Sequence, residues 1–323
     1  MTLPTRPLGS SGLDITTVGF GAWAIGGGGW AFGWGSQDDA DSLAAMRHAL
    51  ELGVTWIDTA AVYGLGHSEE VVGRLLRELP AGERPLVFTK CGLVWDERVR
   101  RLGVERIDLY QFHWPDETGT PMEDSWQTMV RLVEEGKVRA AGVSNFDVPL
   151  LERCEAIRHV DSLQPPFSLI RRDAAEREIP WCREHDTGVI VYSPMQSGLL
   201  TDSFTTARVA ALAPDDWRRR SAQFQQPALG RNLALRDALK PIARRHGTTV
   251  SAVAVAWTLA WPGVTGAIVG ARTAAQVDGW IGAAMLQLTV TDLDEVAAAI
   301  VRTGAGTGPT RPAASGVTGG RGR

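Results

Sequence analysis

Short apolar runs alternate with segments of helical periodicity along most of the chain. Runs of strand length lie at residues 18–21, 54–58, 86–90, 108–113, 139–143, 162–164, 189–192 and 267–269. Between them, apolar residues recur with helical spacing, which predicts helices at residues 38–52, 68–79, 96–102, 122–135, 148–157, 173–185, 233–246 and 250–259. Repeated β-α units favour a parallel sheet, either closed as a barrel or open and doubly wound.

Two features favour the closed barrel. Polar side chains end strands two to six, and a ring of loops accommodates that spread better than one crevice does. No G-x-G-x-x-G turn joins a first strand to a helix, as an open dinucleotide-binding sheet requires. The glycines at 26–29 precede no helix directly, so we interpret them as a flexible loop rather than a phosphate cradle. We therefore predict an α/β fold of the (β/α)8 TIM barrel type.

The two ends of the chain depart from this repeating pattern. Residues 6–15 place Gly-Ser-Ser-Gly between apolar positions, which predicts a hairpin that plugs the bottom of the barrel. From Thr303 onward the residues are mostly Gly, Thr, Pro and Arg, so the tail is expected to be disordered. The predicted organisation is one barrel domain at 1–302 and a disordered tail at 303–323.

Composition excludes several classes of function. The net charge of −4 is small and spread along the chain, which indicates neither a nucleic-acid surface nor a membrane surface. No apolar run approaches the roughly 20 residues that span a bilayer, and the first residues lack the apolar core of a signal peptide. Cys91, Cys154 and Cys182 have no paired spacing and indicate a reducing compartment. We expect a soluble cytoplasmic protein, either a monomer or a weak homo-oligomer.

Four ionisable side chains follow strands two, three and four. Asp58 and Lys90 end the second and third strands, Tyr63 lies just beyond Asp58, and His113 ends the fourth strand. The C-terminal ends of barrel strands open on one face, so these four side chains are expected to share a pocket. Each has an ordinary explanation alone, as a loop cap, a surface aromatic, a solvated strand end or a core histidine. Together, an acid, a phenol, an amine and an imidazole form a proton-transfer device.

Segments around and beyond these residues resemble the aldo-keto reductase family. The matching segments are Trp56-Ile57-Asp58-Thr59-Ala60, Tyr63-Gly64, Thr89-Lys90, Asp108-Leu109-Tyr110-Gln111-Phe112-His113-Trp114-Pro115, Gly142-Val143-Ser144-Asn145-Phe146, Gln164-Pro165, Tyr192-Ser193-Pro194, Ser197-Gly198-Leu199-Leu200 and Gly270-Ala271-Arg272. They fall in the family's order and cover about residues 6–300. The resemblance implies an eight-stranded β/α barrel, and an oxidoreductase that binds NADPH, or in some members NADH, without a Rossmann motif or a metal.

The resemblance also implies a role for each of the four side chains. Reduction of a carbonyl by hydride builds negative charge on oxygen, so a proton donor must meet that oxygen. Tyr63 is the implied donor, and a free phenol with a pKa of about 10 is a reluctant one. The ammonium of Lys90 is expected to stabilise the phenolate and lower that pKa. Asp58 is expected to hold Lys90 as an ion pair, and His113 to orient the carbonyl.

A cofactor site across the strand ends is implied in the same way. Ser144, Asn145 and Gln164 match the residues that hold the nicotinamide carboxamide, and Tyr192 matches the one that stacks on its ring, with core packing as the alternative. Arg272 falls where the family grips the adenosine ribose and its 2′-phosphate, which favours NADPH, with a solvated helix start as the alternative. The predicted cofactor-binding residues are Gly21, Ala22, Trp23, Ser144, Asn145, Gln164, Tyr192, Ser193, Pro194, Gly198, Leu199, Gly270, Arg272 and Gln276.

Tryptophans that follow strand ends indicate an apolar substrate pocket, since concave sites are lined by such side chains. Trp23, Trp30, Trp95 and Trp114 are the predicted wall, and Trp34 belongs to the same group of loop tryptophans. The substrate itself is not specified by the sequence. The expected specificity elements are the loops at 24–35, 114–120 and 201–227.

Two departures from the family pattern affect these expectations. The connection from Cys91 to Ile107 is short, so the third helix is expected to be stunted and to leave an under-covered groove between the second and fourth helices. Beyond Arg272, Gln276 and Asp278-Gly279-Trp280 stand where many members place an arginine and a Glu-Asn pair. That second departure weakens the case for NADPH over NADH.

The leading hypothesis is reversible NADPH-dependent reduction of an aldehyde or ketone. Two alternatives remain open from the sequence. One is an NADPH-binding regulatory or sensor subunit, as in the β-subunits of voltage-gated potassium channels. The other is a paralogue whose catalysis is impaired by the shortened third unit.

Overall fold

Eight parallel strands close into a barrel in the computed structural model, which describes residues 2–92 and 102–312. The barrel strands follow the chain: β3 (Val18–Gly21), β4 (Trp56–Asp58), β5 (Leu86–Cys91), β6 (Ile107–Phe112), β7 (Val138–Ser144), β8 (Ser162–Gln164), β9 (Gly188–Tyr192) and β10 (Gly266–Gly270). Strand β10 pairs with β3 and closes the ring, with Gly270 opposite Gly21. The predicted TIM barrel is confirmed.

Helices cover the outside of the barrel. They are α1 (Asp39–Glu51), α2 (His67–Glu78), α3 (Met122–Glu134), α4 (Val148–Glu155), α5 (Glu178–Glu184), α6 (Thr206–Ala210), α7 (Ala228–Ala238), α8 (Lys240–Arg245), α9 (Val250–Leu259), α10 (Ala274–Ile281) and α11 (Val290–Thr303). The inward faces of these helices and the outward faces of the strands form one large buried core. In the described residues, no helix combines the length and the apolar character needed to cross a membrane.

The N-terminal hairpin closes the bottom of the barrel. Strands β1 (Thr5–Pro7) and β2 (Asp14–Thr16) pair antiparallel. Leu8, Leu13 and Ile15 are almost fully buried and form a second apolar cluster with barrel residues that include Trp56 and Phe88. The predicted hairpin is therefore present, and its apolar residues fill the lower barrel interior.

Hydrogen bonds between side chains also hold the tip of this hairpin against the barrel. The hydroxyl of Ser10 lies 2.9 Å from Nε2 of His159, and Nδ1 of the same ring lies 2.9 Å from the carboxylate of Glu155 at the end of α4. The hairpin is thus held to the barrel by both apolar burial and polar contacts.

The helices differ from the prediction mainly after β9. The expected helix at 233–246 begins earlier, at Ala228, and is split into α7 and α8. The helices α10 and α11 were not predicted. Helix α10 was not recognised because its only buried residues, Val277 and Trp280, are too few to show a helical periodicity. A capping box of Thr289 and Asp292 begins α11.

The ordered chain extends beyond the predicted domain boundary at residue 302. Residues 304–312 lie against the barrel, where Ala305 is 1% exposed. The buried guanidinium of Arg172 donates to the carbonyls of Ala305 and Gly308 at 3.1 and 3.2 Å. These contacts tie the segment down despite its Gly-rich composition. The rest of the predicted tail, residues 313–323, lies outside the described residues.

The link between β5 and β6 belongs to the third β/α unit, which the sequence predicts to be short. Residues 93–101 lie outside the described part of the chain, and so does most of the predicted helix at 96–102. On its two flanks, Val71 and Leu75 of α2 are fully buried, while Val130 and Val133 of α3 are half-buried. No side chain of α2 or α3 is among the strongly exposed large hydrophobics of the described residues. The under-covered groove stays a prediction.

Candidate active site

The carboxyl ends of neighbouring strands bring the four predicted side chains together. Nζ of Lys90 donates to the carboxylate of Asp58 at 2.6 Å, to the carbonyl of Thr59 at 2.9 Å and to the phenolic oxygen of Tyr63 at 3.3 Å. The ring of His113 meets the ring of Tyr63 edge-on, with 5.5 Å between centroids. Asp58 and Lys90 are 2% and 1% exposed, so this ion pair is removed from water.

Burial controls the protonation of these groups. It lowers the pKa of Lys90, an effect that the neighbouring charge of Asp58 opposes, and it raises the pKa of Asp58. Burial and then the charge of Lys90 lower the pKa of His113 to about 3, so its imidazole is neutral near pH 7.

The pKa of Tyr63 moves in the opposite direction to the expectation from sequence. Burial raises it well above 10, and the negative charge of Asp58 raises it further. The predicted lowering by Lys90 is wrong for this structure, because removal from water penalises the phenolate more strongly than the ammonium at 3.3 Å favours it. The phenol is therefore protonated at neutral pH.

The loop that carries Tyr63 packs backbone against backbone on the loop that carries Gly26. Gly26 packs so tightly on this loop that a Cβ there would lie 2.9 Å from backbone atoms of Tyr63 and Gly64. Gly64 has a φ of +61°, and a Cβ on it would lie 2.1 Å from the carbonyl oxygen of Gly26. The glycine run, interpreted from sequence as a flexible loop, thus includes one residue that fixes the position of Tyr63.

An amide network joins this centre to the next strand ends. Nε2 of Gln164 donates to the second carboxylate oxygen of Asp58 at 2.9 Å. The hydroxyl of Ser144 donates to the carbonyl of Gln164, and the amide of Asn145 donates to the carbonyl of His113 at 2.9 Å. The hydroxyl of Tyr192 donates to Oδ1 of Asn145 at 2.9 Å. These contacts fix the side chains that the sequence assigns to the nicotinamide.

A cavity of about 1050 Å³ runs across the strand ends. Its lining includes Tyr63 and His113 as well as Arg272 and Gln276. The loop after β9 also lines the cavity and contains residues with left-handed backbone, Ser193, Gln196 and Ser197. Such strained conformations of non-glycine residues concentrate at functional sites.

Aromatic rings wall the cavity near Tyr63. The ring of Trp23 stacks between Tyr63, at 6.2 Å, and Trp217, at 5.5 Å between centroids. Trp30 lies 6.2 Å from Tyr63, and Phe32 and Trp114 are about half exposed at the rim. The wall is therefore built by loops after several different strands.

Most predicted site residues line this cavity. Lys90 lies beneath it, Leu199 is fully buried in the core and does not line it, and Trp95 lies outside the described residues. The lining predicted residues are Gly21, Ala22, Trp23, Trp30, Asp58, Tyr63, His113, Trp114, Ser144, Asn145, Gln164, Tyr192, Ser193, Pro194, Gly198, Gly270, Arg272 and Gln276. Leu199 follows a left-handed turn at Ser197 and Gly198, and this turn directs it inward.

Sequence reasoning missed several lining residues in the long segment after β9. Trp217, Arg208 and Arg218 line the cavity but lie in a stretch without periodicity. Gln37 was also missed. The length of the segment at 201–227 indicates that this region contributes to the site, but it does not indicate which of its residues line the cavity.

Comparison with known proteins agrees with this geometry. Residues 17–301 match the Aldo/keto reductase family. The chain belongs to this family. It is 33% identical over 290 residues to the aldo-keto reductase YhdN of Bacillus subtilis (strain 168), covering 84% of this chain and 86% of that protein. It is 29% identical over 329 residues to the NADH-specific methylglyoxal reductase of Escherichia coli (strain K12), covering 92% and 99%.

A solved structure of the same family superposes on most of the chain. The glycerol dehydrogenase AKR11B4 from Gluconobacter oxydans matches with a TM-score of 0.80 and 33% identity, over 94% of this chain and 95% of that chain. As a member of the aldo/keto reductase family, this protein is an NAD(P)H-dependent oxidoreductase.

Proposed function

We propose that the protein reduces an aldehyde or ketone to the alcohol with NADPH, and that Tyr63 donates the proton. The observation that carries the proposal is the contact of Lys90 with both Asp58 and the phenolic oxygen of Tyr63, at 2.6 and 3.3 Å, at the floor of the cavity. A protonated phenol, an ammonium and a neutral imidazole are the groups that a developing alkoxide requires.

The residues present suit a nicotinamide dinucleotide. Ser144, Asn145 and Gln164 offer hydroxyl and amide groups for a carboxamide, and Tyr192 offers an aromatic ring beside them. The loop after β9 presents backbone from left-handed residues, and Arg272 lines the same cavity. When bound, the nicotinamide supplies the hydride that the protein lacks.

In the reaction direction of reduction, His113 donates its one N–H to the carbonyl oxygen, because its imidazole is neutral at a pKa of about 3. Tyr63 then transfers its proton to the developing alkoxide. The phenolate that remains lies beside the ammonium of Lys90, which stabilises it. Asp58 keeps Lys90 in place and charged.

The wall of the pocket supports carbonyl substrates with an apolar or aromatic body. Trp23, Trp30 and Trp114 contribute rings to the cavity, and Phe32 continues this surface at the rim. The family relatives named above include a methylglyoxal reductase and a glycerol dehydrogenase. Small polar substrates are therefore the natural comparison for a substrate panel.

Steady-state oxidation of NADPH tests the proposal against the alternatives. Wild-type protein is mixed with a panel of aromatic aldehydes, aliphatic aldehydes and small hydroxylated carbonyls, and the dissociation constant of NADPH is measured separately. Turnover of any carbonyl with ordinary kinetics supports the enzyme. Tight binding of NADPH without turnover of any carbonyl would instead indicate a sensor subunit or an impaired paralogue.

We further propose a single barrel domain that functions in the cytoplasm as a monomer or weak homo-oligomer. The three cysteines are free in the structure, which supports a reducing compartment. Size-exclusion chromatography with light scattering tests the oligomeric state.

A further inference from the structure

The guanidinium of Arg272 is held by the loop that precedes α1. Its Nε donates to the side-chain oxygen of Gln37, and its two terminal nitrogens donate to the carbonyls of Trp34 and Ser36. The side-chain nitrogen of Gln37 returns a hydrogen bond to the carbonyl of Arg272 at 2.9 Å. Gln37 thus forms hydrogen bonds with both the side chain and the backbone of Arg272.

Gln37 is itself well anchored. Its nitrogen also lies 3.0 Å from the hydroxyl of Ser42, in the first turns of α1. On the other side of the same loop, the guanidinium of Arg218 lies 4.3 Å from the ring centroid of Trp34. The loop at 34–37 is therefore fixed between two arginines, and it places the side chain of Arg272 rigidly.

The charges around Arg272 favour an anion. Its pKa is lowered by burial and then by the positive charge of Arg218, with Arg208 adding to the effect. The charge of Asp216 raises the pKa of Arg272, but this carboxylate forms its ion pair with Arg218, at 2.6 Å. Arg272 therefore donates its hydrogen bonds to neutral acceptors, while its positive charge is left for a ligand.

The geometry leaves suitable donors for that ligand. A guanidinium carries five N–H groups, and the described contacts take one from each nitrogen. One N–H remains on each terminal nitrogen, and a pair of this kind binds two oxygens of one phosphate. Gln37 occupies the Nε–H, so any further hydrogen bond from Arg272 to a ligand comes from its two terminal nitrogens.

We propose that Gln37 is a positioning residue for nucleotide selection, orienting Arg272 so that the protein prefers the 2′-phosphorylated nucleotide NADPH over NADH. This inference rests on the proposed function, because it takes the dinucleotide to lie in the described cavity. It concerns the adenosine end alone and makes no use of the catalytic centre.

Binding measurements without substrate test the inference. The dissociation constants of NADPH and NADH are measured by calorimetry for wild type, Gln37→Leu, Arg272→Leu and the double variant. Wild type is expected to bind NADPH at least about tenfold more tightly than NADH. Gln37→Leu is expected to weaken NADPH binding by about tenfold, the effect of losing a hydrogen bond to a charged group, and to change NADH binding by less than about twofold.

The double variant separates positioning from a general structural effect. If Gln37 acts through Arg272, adding Gln37→Leu to Arg272→Leu produces no further loss of NADPH affinity. Unchanged NADH binding in each variant reports that the site is folded. Equal loss for both nucleotides, additive losses in the double variant, or no loss in Gln37→Leu would overturn the inference while leaving carbonyl reduction intact. Failure of wild type to bind either nucleotide would overturn the proposed function as well.

Discussion

At the scale of single residues, burial decides what each side chain in the site can do. A free phenol and a free imidazole have pKa values of about 10 and 6.5. In this pocket the pKa of Tyr63 is raised and that of His113 is lowered to about 3. Both shifts favour the neutral form, which for Tyr63 is the proton donor and for His113 is a donor of one N–H. The site is therefore set for reduction at neutral pH.

The two directions of the reaction are expected to differ in their pH dependence. Reduction needs protonated Tyr63 and neutral His113, so kcat for reduction is expected to be nearly constant from about pH 6 to pH 9. Oxidation of the alcohol needs the phenolate, so its rate is expected to rise with pH over the same range. Initial rates in both directions provide the check. A change in kcat for reduction with a midpoint near pH 6.5, present in wild type and absent in His113→Gln, would contradict the assignment of a neutral histidine.

The buried pair of Asp58 and Lys90 is expected to matter for stability as well as for chemistry. Lys90→Met leaves the carboxylate of Asp58 buried without its cation, which costs about 3–5 kcal/mol in the free energy of unfolding. Adding Asp58→Asn removes the stranded charge, so the double variant is expected to regain part of that stability. Urea unfolding of wild type, Lys90→Met and the double variant measures both effects. Equal stability of Lys90→Met and wild type would contradict a buried ion pair.

At the scale of elements, strand ends carry the polar groups and the following loops aim them. The sequence predicts this arrangement well, because a strand that finishes on an ionisable residue can be recognised from its apolar run alone. Asp58 and Lys90 are recognised in this way and Gln164 by the family resemblance, and the structure joins all three through hydrogen bonds.

Contacts between distant loops could not be predicted from the sequence. Trp217 stacks on Trp23 although the two residues are far apart in the chain, and no local pattern marks that pairing. The packing of Gly26 on the loop of Tyr63 is another case, since a run of glycines indicates flexibility until its neighbour is known. For α11, by contrast, a signal was present: Thr289 and Asp292 have the spacing of a capping box.

Gly26 gives a test of how loops position the proton donor. In Gly26→Ala the new methyl group would press on the backbone of Tyr63 and Gly64, so the phenol is expected to shift. We expect kcat for reduction to fall at least about tenfold, with a loss of about 1–3 kcal/mol in stability. Gly82→Ala is the matched control, because a Cβ at Gly82 meets nothing within 4 Å. Normal kcat in Gly26→Ala would show that this contact does not position Tyr63.

At the scale of the whole molecule, segments near both ends of the chain fasten onto the barrel, one at its bottom and one on the loop after β8. The hairpin fills the bottom of the barrel with Leu8, Leu13 and Ile15. The segment at 304–312 supplies acceptors to the buried guanidinium of Arg172. The Gly-rich composition of that segment predicted disorder, and the contact that orders it depends on a residue that lies more than a hundred positions away.

Truncation is expected to separate the packed segment from the rest of the tail. Deletion of 304–323 removes two acceptors of Arg172 and leaves a buried charge partly unpaired, at about 1.5–3 kcal/mol for each hydrogen bond to a charged group. We expect the melting temperature to fall by about 5 °C or more relative to a chain that ends at residue 312. Thermal unfolding of the two truncated chains compares them directly. Identical melting temperatures would mean that the segment contributes nothing to stability.

The central claim is that Tyr63 donates the proton in carbonyl reduction, and a single-turnover measurement with Tyr63→Phe tests it most directly. Protein saturated with NADPH is mixed rapidly with an aldehyde that wild type reduces, and the loss of reduced nicotinamide is followed in time. The account predicts a rate lowered by about 10²–10⁴, with the dissociation constant of NADPH unchanged. A Tyr63→Phe variant that reduces the aldehyde as fast as wild type would contradict it.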